Sequence, residues 1–191
     1  MRIVGGDWRG RTLEAPRGRE VSRPTTDRVR EAMASMVDSA LDGGIEGARV
    51  LDAFGGTGAL GIEMLSRGAE HAIFFDINRG AAALIKRNLQ KLACAPARYR
   101  VLTGDAAQFA RRGRIPGSPF DLVFMDPPYA LGTAPAEALL SALVEHDLLA
   151  PRAIALFERS TDTSALTVPG FTTLREKRYG STAVDLLRFE P

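Results

Sequence analysis

The chain has a single cysteine, Cys94, and two histidines, His71 and His146, among its 191 residues. One thiol forms no internal disulfide, and with only two histidines beside it a zinc site lacks ligands, so no metal is expected. No apolar run approaches the roughly 18 residues that a membrane span needs. The opening Met1-Arg2-Ile3-Val4-Gly5-Gly6-Asp7 lacks the apolar segment of a secretory signal. A cytoplasmic protein without a membrane partner is expected. Repeats, low-complexity tracts and long linkers are also missing.

Net charge is small, +2, but unevenly placed. Residues 1–30 hold eight arginines, at 2, 9, 11, 17, 19, 23, 28 and 30, against Asp7, Glu14, Glu20 and Asp27. That end therefore carries +4 and the remainder −2. Its cations are all arginine, which pairs with phosphate bidentately and stacks on bases. A polyanionic partner fits this pattern, and so does a solvated, salt-bridged surface.

At this length, with 45% hydrophobic residues, one core is expected. Residues 2–14 read as a small ribbon, with Arg2-Ile3-Val4 and Arg11-Thr12-Leu13 separated by glycines. Pro16 to Pro24 form a connector, after which Thr25 or Thr26 can cap a helix with an apolar stripe of Val29, Ala32, Met33, Met36, Val37 and Ala40. Gly43-Gly44 ends it. This divides the chain into a basic ribbon and connector, 1–24, appended to a larger domain, 25–191.

From Ala48 onward short apolar runs alternate with amphipathic stretches. The runs are 48–52, 72–76, 99–103, 120–125 and 153–157; helical patterns lie near 58–67, 78–93, 105–112 and 134–146. The series predicts an α/β fold, a Rossmann-like, mostly parallel sheet with helices on both faces. Residues 172–178 and 182–189, about a Tyr179-Gly180 turn, complete seven strands as a C-terminal antiparallel hairpin. Residues that follow the parallel strands should converge on one crevice.

Those residues are polar or glycine. The first run ends in Asp52-Ala53-Phe54-Gly55-Gly56-Thr57-Gly58-Ala59-Leu60-Gly61, a glycine-rich turn that lets a ligand approach the backbone or simply makes a tight connection. Asp76, ending the second run, can hold a ribose or cap a helix. Asp105, after the third, can accept from an adenine amino group or cap a helix. The glycine spacing is not that of G-x-G-x-x-G, and no lysine makes a phosphate loop, which disfavours a pyrophosphate ligand and a nicotinamide-dependent oxidoreductase. An acid at position 52 suits a cofactor that presents an ammonium group and carries positive charge, which describes S-adenosylmethionine. Then Asp126-Pro127-Pro128-Tyr129 follows the fourth run: a carboxylate, two prolines that stiffen the loop, and an aromatic ring.

Asp-x-Phe-x-Gly-x-Gly, an acid on the next strand and Asp-Pro-Pro-Tyr after the fourth together resemble class I S-adenosylmethionine-dependent methyltransferases that modify exocyclic amino groups. Residues 3–13, 23–31 and 175–180 are similar to the RsmD family, bacterial methyltransferases of a guanine amino group in 16S rRNA of the small ribosomal subunit. The resemblance spans essentially the whole chain. It implies S-adenosylmethionine held by Asp52, Phe54, Gly55, Thr57 and Gly58 at the methionine end, Asp76 at the ribose, and Asp105 and Ala106 at the adenine. It also places the target base at Asp126, Pro127, Pro128 and Tyr129, and RNA on Arg9, Arg11, Arg23 and Arg28 of a protein expected to be monomeric. The chain departs in having Asn78 where a second acid is common, Gly56 where alanine is, and Tyr129 where some relatives have phenylalanine. Trp8 either stacks on a base or plugs the ribbon against the body, and Glu158 either faces the crevice or pairs with Arg159 or Arg152. Rival readings are a DNA adenine methyltransferase, disfavoured by the shortness of the chain, and a non-catalytic RNA-binding module on a decayed scaffold, opposed by intact Asp52, Asp76 and Asp126.

Overall fold

Seven strands form one sheet in this computed structural model, which describes residues 1–16 and 26–190. The strands are β1 (Arg49–Asp52), β2 (His71–Asp76), β3 (Tyr99–Thr103), β4 (Phe120–Met125), β5 (Leu149–Ser160), β6 (Phe171–Tyr179) and β7 (Thr182–Phe189). Their order is β3-β2-β1-β4-β5-β7-β6. The five strands from β3 to β5 pair in parallel, and β7 pairs antiparallel to both β5 and β6. The chain reverses direction from β1 outward in both senses, so the crevice at the carboxyl ends of β1 and β4 is the topological switch point.

Five helices cover the sheet: α1 (Asp27–Ala40), α2 (Ala59–Ser66), α3 (Arg79–Lys91), α4 (Ala106–Ala110) and α5 (Ala134–Glu145). Side-chain alternation splits the core into two layers. Val50, Phe74, Phe124, Leu156, Val184 and Leu186 face α1, α2 and α3, whereas Leu51, Phe75, Val123, Met125, Phe157 and Leu187 face α4 and α5. Because both faces are covered, β1, β2 and β4 are continuous apolar runs and not alternating ones.

One strand differs from the sequence expectation. Strand β5 begins at Leu149, earlier than the run 153–157, because an irregularity in the pairing with β4 between Phe120 and Leu122 absorbs the positive φ of Arg152. The N-terminal segment forms the expected ribbon: Arg2 bridges Thr12, Ile3 N–H donates to the Arg11 carbonyl (3.0 Å) and Leu13 N–H to the Met1 carbonyl (3.0 Å). Other backbone groups of the ribbon dock on the body: Asp7 N–H donates to the Ser66 carbonyl (2.8 Å), Trp8 N–H to Ser66 Oγ (2.9 Å), and Val4 N–H to Glu63 Oε2 (2.9 Å). Ile3 and Leu13 are buried in the α1–α3 layer, which contributes about 2 kcal/mol each. Residues 1–16 thus share a core with residues 26–190. Most of the connector, and Thr25, lie outside the described residues; the α1 cap is Thr26, whose hydroxyl accepts from Val29 N–H at 3.4 Å.

Candidate active site

Strand β1 ends at Asp52, two positions after inward-facing Val50, and the chain then turns through Gly55 to Gly58 into α2. Gly58 has φ +80°, a left-handed conformation that favours glycine. A Cβ on Gly55 would lie 2.7 Å from Ile85 Cδ1 and 3.2 Å from the Phe75 carbonyl, so the turn packs directly on α3 and the end of β2. Asp52 is 3% exposed and accepts one hydrogen bond, from Gly61 N–H at 3.0 Å. Burial, with the nearby Asp76 charge adding to it, pushes its carboxyl up to about 7.

At the end of β2, Asp76 Oδ2 accepts from Gly56 N–H (2.9 Å) and Oδ1 from Asn78 N–H (2.7 Å). Asn78, where a second acid is common in similar sequences, caps α3 by accepting from Gly80 and Ala81 N–H at 2.7 and 3.2 Å. Beside it Ile77 is 78% exposed, a large apolar side chain on the crevice rim that composition and spacing had not singled out. Asp105 Oδ1 accepts from Ala107 N–H at 2.8 Å, so Asp105 is the α4 cap, with an exposed carboxylate; Ala106 is buried in the first turn.

The loop after β4 supplies the second half of the site. Met125 pairs with Phe157 in the parallel ladder, so Asp126 and Glu158 are the next residues on adjoining strands. Asp126 is held well above the usual carboxylate range, first by burial and then by the charges of Glu158 and Asp52. Glu158 is buried. Pro127 is buried and Pro128 exposed, and Tyr129 starts a single 3-10 turn, Tyr129–Leu131, with 42% of its surface exposed. Its hydroxyl donates to Glu158 Oε1 at 3.2 Å and lies 3.0 Å from Thr182 Oγ1 at the start of β7. Burial raises the Tyr129 phenol.

The crevice is therefore acidic: Asp52, Asp76, Asp126 and Glu158 crowd one another, and their mutual repulsion raises Asp52 and Asp126. That donor set fits a cationic ligand. A bound ammonium or sulfonium would relieve the repulsion, whereas a pyrophosphate would worsen it. Among the described residues no three His, Cys, Asp or Glu side chains gather as a metal site. A cavity of about 330 Å³ at the other end of the strands, lined in part by Asp42, Arg49, Asp121 and Arg152, takes no part in this crevice.

Asn88, buried on α3, escaped the sequence reading, although a polar residue within the stripe of Leu84, Ile85 and Leu89 is a visible signal. Its Nδ2 donates to the carbonyls of Thr57 (3.0 Å) and Glu14 (3.2 Å), and its Oδ1 accepts from Glu14 N–H (2.8 Å). One side chain thus ties the N-terminal segment to the glycine turn. Thr57 itself offers its hydroxyl to Met1 Sδ at 3.7 Å, and Phe54 is half-buried at the crevice.

The arginines separate. Arg9 and Arg28 are exposed. Arg11 donates to the Leu92 (3.1 Å) and Lys91 (2.6 Å) carbonyls and so closes the C-terminus of α3. Arg23 lies outside the described residues. Trp8 packs against the α1–α3 core with the Arg98 guanidinium 5.9 Å from its ring centroid. Arg159 pairs with buried Asp185 (2.7 Å) and with Glu176 (3.0 Å), while Arg152 pairs with Asp42 (2.7 Å).

Residues 1–188 match the family described as conserved hypothetical protein 95. Ribosomal RNA small subunit methyltransferase D of Escherichia coli K12 is 36% identical over 191 residues, covering 100% of this chain and 90% of that protein. The protein of that name from Haemophilus influenzae is 35% identical over 180 residues, 94% of this chain and 89% of its own. The solved structure "Putative methyltransferase yhhF from Escherichia coli" superposes with a TM-score of 0.83 at 34% identity, covering 100% of this chain and 98% of that one.

Proposed function

From the premise that this chain belongs to the RsmD family of methyltransferases, we propose that it transfers a methyl group from S-adenosylmethionine to ribosomal RNA of the small subunit, at the exocyclic amino group of a guanine. The observation that carries this reading is the meeting of Asp126 with Asp52 across neighbouring strands. The carboxylate that would hold a planar amino group opens onto the acidic crevice that suits a cationic cofactor.

In this reading Asp52, Phe54, Gly55, Thr57 and Gly58 receive the amino-acid end of the cofactor, which supplies a methyl group activated on a sulfonium. Asp76, whose two oxygens are aimed by Gly56 and Asn78, takes the ribose hydroxyls. Exposed Ile77 and Asp105, with buried Ala106 behind them, flank the adenine in this reading. Guanine's exocyclic nitrogen is a poor nucleophile because its lone pair is delocalised into the ring. Asp126 and the Pro127 carbonyl each accept one of its N–H bonds, which turns the lone pair toward the methyl group, and orientation supplies most of the acceleration. Tyr129 stacks on the base. A base held this way must leave its stack, which costs least in a loop or single strand. Transfer would break the methyl's bond to sulfur as the new N–C bond forms, and Asp126, accepting one N–H bond in this reading, would be placed to take the proton that the nitrogen then loses. Arg9, Arg11, Arg23 and Arg28 belong to the RNA-facing end in this proposal, with Arg9 and Arg28 presenting exposed guanidiniums.

Incubation with methyl-labelled cofactor and, in parallel, small subunits, naked 16S rRNA or DNA, followed by nucleoside mapping, tests the proposal. N2-methylguanosine from RNA is the expected product. Methyladenine as the only product would overturn the guanine assignment, and failure to bind S-adenosylmethionine by titration calorimetry would sink the whole reading.

A further inference from the structure

The outermost strand of the sheet, β6, is exposed along nearly all its length: residues 172–178 are open to solvent on both faces. It pairs only with β7, and it carries Arg175, Lys177 and Arg178. Arg178 is matched by Glu176 at 2.8 Å. Neither Arg175 nor Lys177 makes an ion pair among the described residues.

The ladder fixes where those two cations lie relative to the crevice. Arg175 stands opposite Leu186 and Lys177 opposite Val184. Residues directly opposite in an antiparallel pair project on the same face, and Leu186 and Val184 belong to the α1–α3 layer. Val184 in turn stands opposite Glu158 of β5. Glu158, Val184 and Lys177 therefore form one row across the sheet, and Asp126 adjoins that row from β4. Three interstrand steps place Lys177 roughly 14 Å from Asp126. The hairpin turn joining β6 to β7 also reaches the site, because Thr182 touches the Tyr129 hydroxyl. Helix α1 packs on this side of the sheet, and its first turn carries exposed Arg28.

Building on the methyltransferase reading, we propose that the Arg175–Lys177 face of the β6 hairpin is an RNA-docking surface that holds the phosphate backbone flanking the target nucleotide. Charged edge strands also discourage sheet-to-sheet pairing. That need is met by charges anywhere along the edge, whereas here both cations without an ion pair among the described residues sit on the face that leads into the site, Lys177 in its row and Arg175 in the Leu186–Leu156 row beside it. A nucleotide held at Tyr129 must continue into a backbone on one side or the other, and this face offers that backbone two cations.

The test is a filter-binding titration of a 16S rRNA transcript against salt, for wild type, Arg175→Glu/Lys177→Glu, and a control with the same charge change just after α4, on the other face of the sheet, Arg111→Glu/Arg114→Glu. The β6 variant is expected to bind about tenfold more weakly at low salt, with its log–log salt slope shallower by roughly 1.4, two single-strand phosphate contacts' worth. Cofactor affinity and thermal midpoint should be unchanged, and the control should bind as wild type does. Equal binding by wild type and the β6 variant overturns the proposal, as does equal weakening by both variants, which would indicate diffuse charge. A wild-type dimer in sedimentation that the β6 variant dissociates, with RNA affinity unchanged, overturns it in favour of edge-to-edge pairing of two copies. Failure of the underlying reading is separately visible, as wild-type protein that neither binds nor methylates the rRNA.

Discussion

The hydroxyls of Tyr129 and Thr182 lie 3.0 Å apart, joining the loop after β4 to the first residue of β7. With Glu158 Oε1 at 3.2 Å as a second partner, the phenol is held at its tip and the ring at its base by two prolines. If this brace sets the ring for stacking, Tyr129→Phe and Thr182→Val should each lower kcat/KM several-fold, about 1 kcal/mol per lost hydrogen bond. The double variant should be no worse than the worse single one. Additive losses in the cycle would mean the two hydroxyls act separately.

Asp126→Ala should leave cofactor affinity nearly intact by titration calorimetry and lower turnover by about 10³-fold or more, because orientation of the amine is lost. Loss of both would assign the residue to structure. The acceptor form of Asp126 is the carboxylate, and the Glu158 charge raises its pKa. Removing that charge in Glu158→Gln therefore lowers the Asp126 pKa, and the acid limb of the kcat/KM profile should move to lower pH. An unmoved limb would separate the two groups.

Asp52 gives a pH signature in both binding and stability. Its folded carboxyl titrates at about 7, whereas an unfolded aspartate titrates near about 4. Between those values the folded state binds more protons than the unfolded state. Its contribution to stability therefore falls as pH rises from about 4 to about 7 and is level above that. Asp52→Asn keeps an acceptor for Gly61 and removes the charge. It should be more stable than wild type above pH 7, by up to about 4 kcal/mol, with the difference vanishing toward pH 4 in urea melts. Cofactor affinity of wild type should rise with pH up to about 7, and Asp52→Asn should bind weakly and without that slope.

Asn88→Ala removes the donor to the Thr57 carbonyl and both bonds to Glu14 in one step. Buried partners left unmatched make a loss of about 2–3 kcal/mol in chemical denaturation the expectation. Cofactor binding should weaken with it, because the glycine turn loses its brace. Unchanged cofactor affinity in a folded variant would show that the turn is held by its own backbone.

Much of this architecture was readable along the chain. Apolar runs of four to six residues, each followed by a polar or glycine turn, specify strands covered on both faces, and their order specifies a parallel sheet whose carboxyl ends meet. The acids of the crevice follow the same arithmetic: Asp52, Asp76 and Asp126 each stand two residues beyond a side chain of the α1–α3 face, Val50, Phe74 and Phe124. Alternation carries them to one side before any contact is known. Helix caps were half readable, since Asp105 was an equally good cap or adenine ligand and the cap is what the backbone realises.

Register and partner choice were not readable, because they depend on pairings between residues far apart in the chain. Asn88 could be noticed as polar in an apolar stripe, but only packing brings Thr57 and Glu14 to it. The N-terminal segment was readable as a ribbon, but its docking through Ser66 and Glu63 and the burial of Ile3 and Leu13 were not. Arg11 and Arg175 are both basic residues near a chain end. One closes a helix terminus and the other stands exposed on the sheet face that leads to the site, a distinction drawn by the antiparallel ladder of β5, β7 and β6. Local chemistry along the chain determined which acids follow the parallel strands into one crevice; long-range pairing decided what braces Tyr129 and which cations share the crevice's face of the sheet.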